Sequence, residues 1–240
     1  MEKILEAVLS KAEEAEIYRI KNEATTAKFQ ANRLKSISSA FKEGVGLRVV
    51  KEGKIGFSSI NNLKDSYPLV NRALNSAQFG QKAHFHFPSP KKIPPVQCFD
   101  SHIPSLKVEE MIEEGGKAIK LILEEIPYLE CESEVRKVET QVRILNTRGL
   151  DESYRKSSYL FFLYAFFAKE GNFLGIEEEE EGGEYKSFSS LIAQRLIKLA
   201  NFAKNEAKLS PGTYPAIFTS KAMPLFLQSL MKGINGCRWC

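Results

Sequence analysis

Lys51-Glu52-Gly53-Lys54-Ile55-Gly56-Phe57 is the stretch that decides the fold. An apolar strand, Gly44 to Val50, runs into Glu52-Gly53, and a short strand with an inner glycine returns from it. A two-residue hairpin turn needs positive φ, which glycine supplies without strain, so this stretch predicts a tight β-hairpin. The pattern recurs. Tyr159 to Phe167 leads into Lys169-Glu170-Gly171, and Asn172-Phe173-Leu174-Gly175-Ile176 returns. Upstream, each hairpin is preceded by a polar turn, Gln30-Ala31-Asn32-Arg33-Leu34 in one case and Asn146-Thr147-Arg148-Gly149-Leu150 in the other. A Ser-rich alternating strand follows each turn, Lys35 to Phe41 and Glu152 to Tyr159. Downstream, each copy closes on an amphipathic helix, Asp65 to Phe79 and Lys186 to Ala207. The copies run from Phe29 to about Ala77 and from Ile144 to about Ala200, with an offset that drifts from about 115 to about 123 residues. That drift describes two diverged β-meander-plus-helix units, 27–79 and 142–207, and not a short-period solenoid.

Around these units the chain reads as α+β. Ile4, Leu5, Val8, Leu9, Ala12 and Ala15 recur at helical spacing, so Met1 to Ala15 is expected to be a helix. Glu16 to Lys21 and Ala27 to Asn32 are expected as separate strands, as are Lys35 to Phe41 and Gly44 to Val50. Glycines 44, 46 and 56 suggest bulges or close backbone approach. Residues 80–104, with five of the ten prolines and all three histidines, read as an irregular connector between the copies. A second amphipathic helix is expected from Ser105, as cap, to Ile126, followed by a strand or strand pair from Glu130 to Leu145 with a bend near Val138. Tyr159 to Phe167, at nine residues, is too short to span a bilayer as a helix and reads as a strand covered on both faces. Glu177 to Glu181 is expected as a solvated loop held open by self-repulsion; on a strand, its alternate carboxylates would be candidates for a metal or a cation. Ser210-Pro211-Gly212 marks a stop, then Tyr214 to Thr219 reads as a strand and Ser220 to Lys232 as a helix capped by Ser220.

Composition narrows the function classes. With 240 residues, 43% hydrophobic and 27% charged, the chain can build its own core without staples. A net charge of +4 with no basic stripe argues against a dedicated nucleic-acid binder. No apolar run is long enough for a transmembrane helix, and the start lacks a secretory pattern, so a cytoplasmic protein is expected. The scattered cysteines, Cys98, Cys131, Cys237 and Cys240, then read as reduced thiols. Cys237-Arg238-Trp239-Cys240 lacks the second ligand pair that a zinc site needs. His84-Phe85-His86, with His102, permits a metal reading, but alternation with Phe85 and Phe87 suits a half-buried edge strand as well. No nucleophile–base arrangement stands out, so no catalytic residue is expected in this chain.

Gly46 to Ser59 resembles the G-x-R-v-x-x-x-G-x-x-G-f-a-s signature of the TldD/PmbA family, the microcin-processing peptidases also called modulators of DNA gyrase. Val142 to Gly149 is similar to that family's v-x-i-x-n-s-x-G turn, and Gly212 to Phe218 to its G-x-y-p-v-v-l strand, which opens a C-terminal domain. The resemblance spans nearly all of residues 1–232 and implies an N-terminal domain at 1–209 with the truncated start of a second domain at 210–240. TldD-like members carry a zinc-binding His-Glu-x-x-x-His on the helix after the G-x-y-p strand. Here Gln228, Ser229 and Lys232 fall at those positions, so the chain looks like the PmbA (TldE) branch, with no metal or cofactor of its own and zinc expected in a TldD-like partner. The resemblance implies a metallopeptidase complex that takes in unfolded peptide by β-strand addition, formed with a TldD-like subunit or as a homodimer; from charge and hydropathy, no direct nucleic-acid or membrane contact is expected. It places peptide or partner contacts at Arg48, Gly53, Gly56, Phe57, Ser58, Asn146, Arg148 and Gly149. Family members are nearly twice this length, and Gly236 to Cys240 departs from family sequence. The alternatives are a non-enzymatic module that binds and modulates gyrase, and a non-functional truncated product.

Overall fold

The computed structural model describes residues 1–61, 66–169, 172–204 and 208–234. The chain divides into two units, 1–204 and 205–240. In the first, the order is α1 (Glu2–Leu9), β1 (Glu14–Gln30), β2 (Arg33–Lys51), β3 (Lys54–Ile60), α2 (Ser66–Ala77), α3 (His102–Ser105), α4 (Val108–Glu125), β4 (Glu130–Asn146), β5 (Asp151–Lys169), β6 (Asn172–Gly182) and α5 (Ser189–Ala203). The second contains α6 (Met223–Ile234).

All six strands form one antiparallel sheet, in the order β3-β2-β1-β4-β5-β6. Two meanders therefore join through β1 and β4, and each carries its helices on the same face. Strand lengths match between the units, 17 and 19 residues for β1 and β2 and again for β4 and β5. Only the third strand differs, 7 residues in β3 and 11 in β6. The fold is α+β, with two β-meander-plus-helix units behind an N-terminal helix.

Alternation decides which face is buried. Ala15, Ile17, Ala27 and Phe29 of β1 all point to the helices, which cover that face in two patches. The first patch sets α1 and α2 on Val45, Leu47 and Val49. The second sets α3, α4 and α5 on Val135, Tyr159, Phe161, Leu163 and Ala165. Strands this long, roughly 55–65 Å, outreach both patches, and the middle is crossed by ion pairs instead. Arg19 meets Glu43, and Arg155 meets Glu139 at 2.8 Å. Arg143 bridges Asp151 and Glu2, both at 2.7 Å. The opposite face of the sheet carries no helix of this unit.

Several expectations are corrected. The four short strands expected between Glu16 and Val50 are two long ones, because pairing with β4 and β2 carries the polar middle residues through. The expected bend at Val138 is absent; the register instead shifts at Lys28/Phe29 between β1 and β2. Gly44 and Gly46 are not bulges, whereas Gly56 is a close approach, since a Cβ there would lie 2.1 Å from the Ala73 carbonyl oxygen. β5 is buried on one face only: Phe161, Leu163 and Ala165 are fully enclosed while Leu160, Phe162, Tyr164 and Phe166 stay half-exposed. Glu177 to Glu181 is not a loop. It belongs to β6, paired with Leu160 to Tyr164, whose ladder outweighs the charge repulsion. The first helix ends at Leu9, because Ala15 faces the core from a strand instead. The helix expected from Ser105 is split: a short α3 ends there, and α4 begins at Val108 with Lys107 as its cap. Tyr214 to Thr219 pairs with no strand among the described residues and so is not one itself, and the last helix begins at Met223 instead of Ser220.

Where the chain had to turn tightly, the expectation held. Ala31 and Asn32 both have positive φ, as do Glu52 and Gly53, and Gly149 has φ +86°. Glu170-Gly171, the Asp65 start and Ala207 end of the expected helices, and Gly236 to Cys240 lie outside the described residues.

Candidate functional site

The helix-free face holds an apolar hollow of about 530 Å³. Its floor is Gly44 and Gly46 on β2, paired with Ile20 and Tyr18 on β1. Glycine makes the hollow: the next strand presents Phe57, whose ring would lie 3.2 Å from a Cβ at Gly46. Phe57 itself is 56% exposed. Burial raises the pKa of Tyr18, with Tyr154 adding to the shift, so the phenol stays protonated and able to donate a hydrogen bond. Arg48 and Glu16 close one end through an ion pair of 2.5 Å, and the Arg48 guanidinium lies 5.2 Å from the centre of the Phe87 ring.

Behind that end, the connector is tied to the sheet. Glu14 accepts from the Phe87 amide at 2.8 Å, from Arg148 at 3.3 Å, and pairs with His86 at 2.5 Å. Burial pushes the Glu14 carboxyl up, but the Phe87 amide, His86 and Arg148 outweigh it and hold it below the usual value. Asn146 is buried. Its amide donates to the Pro88 carbonyl, and its oxygen accepts from the Arg148 and Leu150 amides. Thr147 closes the turn by accepting from the Ala15 amide at 3.0 Å.

Of the expected contact residues, Arg48 and Phe57 are cross-strand partners on the hollow. Asn146, Arg148 and Gly149 form the turn that anchors the connector, with Pro90 against Gly149. Gly53 sits at the hairpin tip, where its amide donates to Glu13. Gly56 and Ser58 are paired with Val49 and Leu47 and so lie on the helix face, away from the hollow. Sequence reasoning missed Glu14, Glu16, Tyr18, Ile20 and Phe87. Alternation around Ile17 could have found the first four. Phe87 is reached only through the path of the connector.

The edge of the first meander is closed. Ser76 on α2 accepts from the Phe57 amide and donates to its carbonyl, and Ile55 donates to Gln81.

The histidines are separated in role: His86 pairs with Glu14, and His102 stacks on Tyr185 at 4.6 Å. No group of three or more His, Cys, Asp or Glu side chains suited to a metal occurs among the described residues. The Cys131 thiol is pushed up to about 12 by burial, then by Glu130, which leaves it inert at neutral pH. Cys98 donates to the Arg155 carbonyl. Gln228, Ser229 and Lys232 are exposed on α6, but counted from Gln228 the last histidine of His-Glu-x-x-x-His falls at Gly233 and not at Lys232. A neutral amide, a hydroxyl and an ammonium do not fit a zinc ion, which wants imidazole, thiolate or carboxylate donors. No helix of the described residues is long and apolar enough to cross a membrane.

Two models of one family match the chain: PmbA/TldA metallopeptidase domain 1 over residues 15–77, and the central domain over residues 101–210. No curated protein is significantly similar. Among solved structures, TldE from Thermococcus kodakarensis is similar with a TM-score of 0.77 at 16% identity, over 85% of this chain and 48% of that one. A candidate modulator of DNA gyrase from Thermotoga maritima gives 0.73 at 18% identity, over 83% of this chain and 46% of that one. Another from Bacteroides thetaiotaomicron gives 0.70 at 15%, over 82% of this chain and 48% of that one. The chain thus spans about half the length of these structures. The chain belongs to the PmbA/TldD family, of which it carries the N-terminal portion.

Proposed function

We propose that this chain is a PmbA (TldE)-like, metal-free subunit, or a fragment of one, of a TldD/TldE-type metallopeptidase complex that proteolyses unfolded peptides. The observation that carries this reading is the donor set on α6. Gln228 and Ser229 stand where the resemblance places the His-Glu pair, and the last histidine of His-Glu-x-x-x-His, five positions after the first, falls at Gly233, which has no side chain. Catalysis and zinc then belong to a TldD-like partner, with a homodimer as the other assembly, in the cytoplasm. In this reading the Arg48–Phe57 hollow on the helix-free face is where peptide or partner chain lies. Backbone-only recognition of an extended peptide suits a protein built from long strands.

Zinc content is the first test. After equilibration with zinc and desalting, the chain is expected to retain far less than one zinc per molecule. Stoichiometric zinc that persists in the Cys237→Ser/Cys240→Ser variant and is lost on Gln228→Ala would overturn the assignment.

A second reading follows from the candidate gyrase modulators among the structural relatives: a module that binds gyrase without cleaving anything. It predicts co-purification with gyrase and no effect on a partner's peptidase rate.

A further inference from the structure

We infer that the helix-free face of the second meander is a docking surface for an extended, Lys/Arg-rich polypeptide segment. This goes beyond the proposed subunit role and does not depend on it.

The surface is built by register. On β5, Phe161, Leu163 and Ala165 are enclosed under the helices, so Phe162, Tyr164 and Phe166 line up on the other side. They form an apolar ridge about 13 Å long, with rings of Tyr164 and Phe166 stacked at 6.0 Å. Tyr164 leans over Gly175, where a Cβ would lie 2.2 Å from its hydroxyl oxygen. Two of the three rungs flank this ridge with acid on both sides, and the third, at Phe166, with Glu130 on one side and Gly175 on the other. Glu132 and Glu177 stand on either side of Tyr164, and Glu134 and Glu179 on either side of Phe162.

The charges are neutralised from within only at Glu134. Glu134 is met by Lys28 at 3.3 Å and Glu132 by the Gln30 amide at 3.3 Å. Glu177, Glu179 and Glu181 form no ion pair among the described residues and are exposed. Carboxylates thus stand on both sides of a ring row in a chain whose net charge is +4. Nothing in the fold requires that arrangement, since the solvent face of a strand accepts mixed charge.

Its complement is specific. A lysine or arginine lays its aliphatic stem along an aromatic ring and carries its charge to the ring face or to a carboxylate beside it. Side chains of an extended chain repeat on one face at the same spacing as those of β5, so alternate basic residues match successive rungs. An acidic or apolar segment would leave the glutamates facing one another across the ridge.

The test is fluorescence anisotropy of the full chain with a labelled alternating Lys-Thr peptide, against Glu-Thr and Ser-Thr peptides of equal length. Binding is expected for the basic peptide alone, weakening as salt is raised. Glu132→Gln/Glu177→Gln/Glu179→Gln should weaken it by about tenfold or more, and Tyr164→Ser by a few-fold with little change in salt dependence. A control that removes the same charge elsewhere, Glu109→Gln/Glu113→Gln/Glu125→Gln, should bind as the parent does. Equal loss in the control would reduce the effect to net charge and overturn the proposal. So would self-association in sedimentation that the ridge variants abolish without any peptide binding, which would make the occupant a second copy. Glu177→Lys, a single exposed reversal, gives the same readout if the triple variant folds poorly by circular dichroism.

Discussion

The two meanders share the lengths of their first two strands, antiparallel pairing and helices on the same face, yet they finish their open faces in opposite ways. The first is hollowed by Gly44 and Gly46 and has its edge sealed by Ser76. The second is filled by an aromatic ridge between glutamates. The hydrophobic pattern facing the helices sets the fold, and it is the same in both. The pattern facing away is free of that duty, and there the two meanders differ. In a sheet of two like meanders, the solvent face is where function is to be sought.

The largest expected effect tests the one-sided burial of β5. Phe161→Ala should destabilise by about 3–5 kcal/mol, as an enclosed ring lost from the core, while Phe162→Ala should cost about half that or less. Urea denaturation of both variants decides it, and equal losses would mean that both faces are packed. Next come the matched glycines of the return strands. Gly56→Ala drives a Cβ into the Ala73 backbone and should cost about 2–3 kcal/mol or more. Gly175→Ala meets only the tip of the Tyr164 side chain, which can swing away, and should cost under about 1 kcal/mol. Asn146→Ala leaves two amides and a carbonyl without their partner and should cost about 1–3 kcal/mol. It should also raise amide exchange at Phe87 and Ser89, which a purely local turn defect would not.

The smallest effect is in pH. The Glu14 carboxyl titrates below its unfolded value, so the stability it contributes is present above that value of about 4.5 and is lost as pH falls through the folded one. Stability measured downward from pH 5 should fall less steeply in Glu14→Gln than in the parent; identical slopes would remove Glu14 as the latch of the connector.

Legibility in the sequence followed physical constraint. Turns at Ala31-Asn32, Glu52-Gly53 and Gly149 were readable because positive φ restricts residue choice. Strand continuity was not. Lys21-Asn22-Glu23-Ala24-Thr25-Thr26 lies between the two helical patches, and no apolar alternation marks it. Its strand comes from hydrogen bonding to β2 and β4, which no local pattern encodes. Glu177 to Glu181 misled for the same reason: five like charges signal a loop only where no neighbouring strand holds them. Of the site, Arg48 and Phe57 were found through the hairpin motif, whereas Phe87 and Glu14 depend on where a proline-rich connector crosses the sheet.

The measurement that bears most directly on the central claim is cleavage of an unfolded reporter peptide by this chain, by a TldD-like partner, and by their mixture, each with and without chelator. The account predicts cleavage by the mixture well above either component, abolished by chelator. A mixture no faster than the partner alone, or chelator-sensitive cleavage by this chain alone, would contradict it.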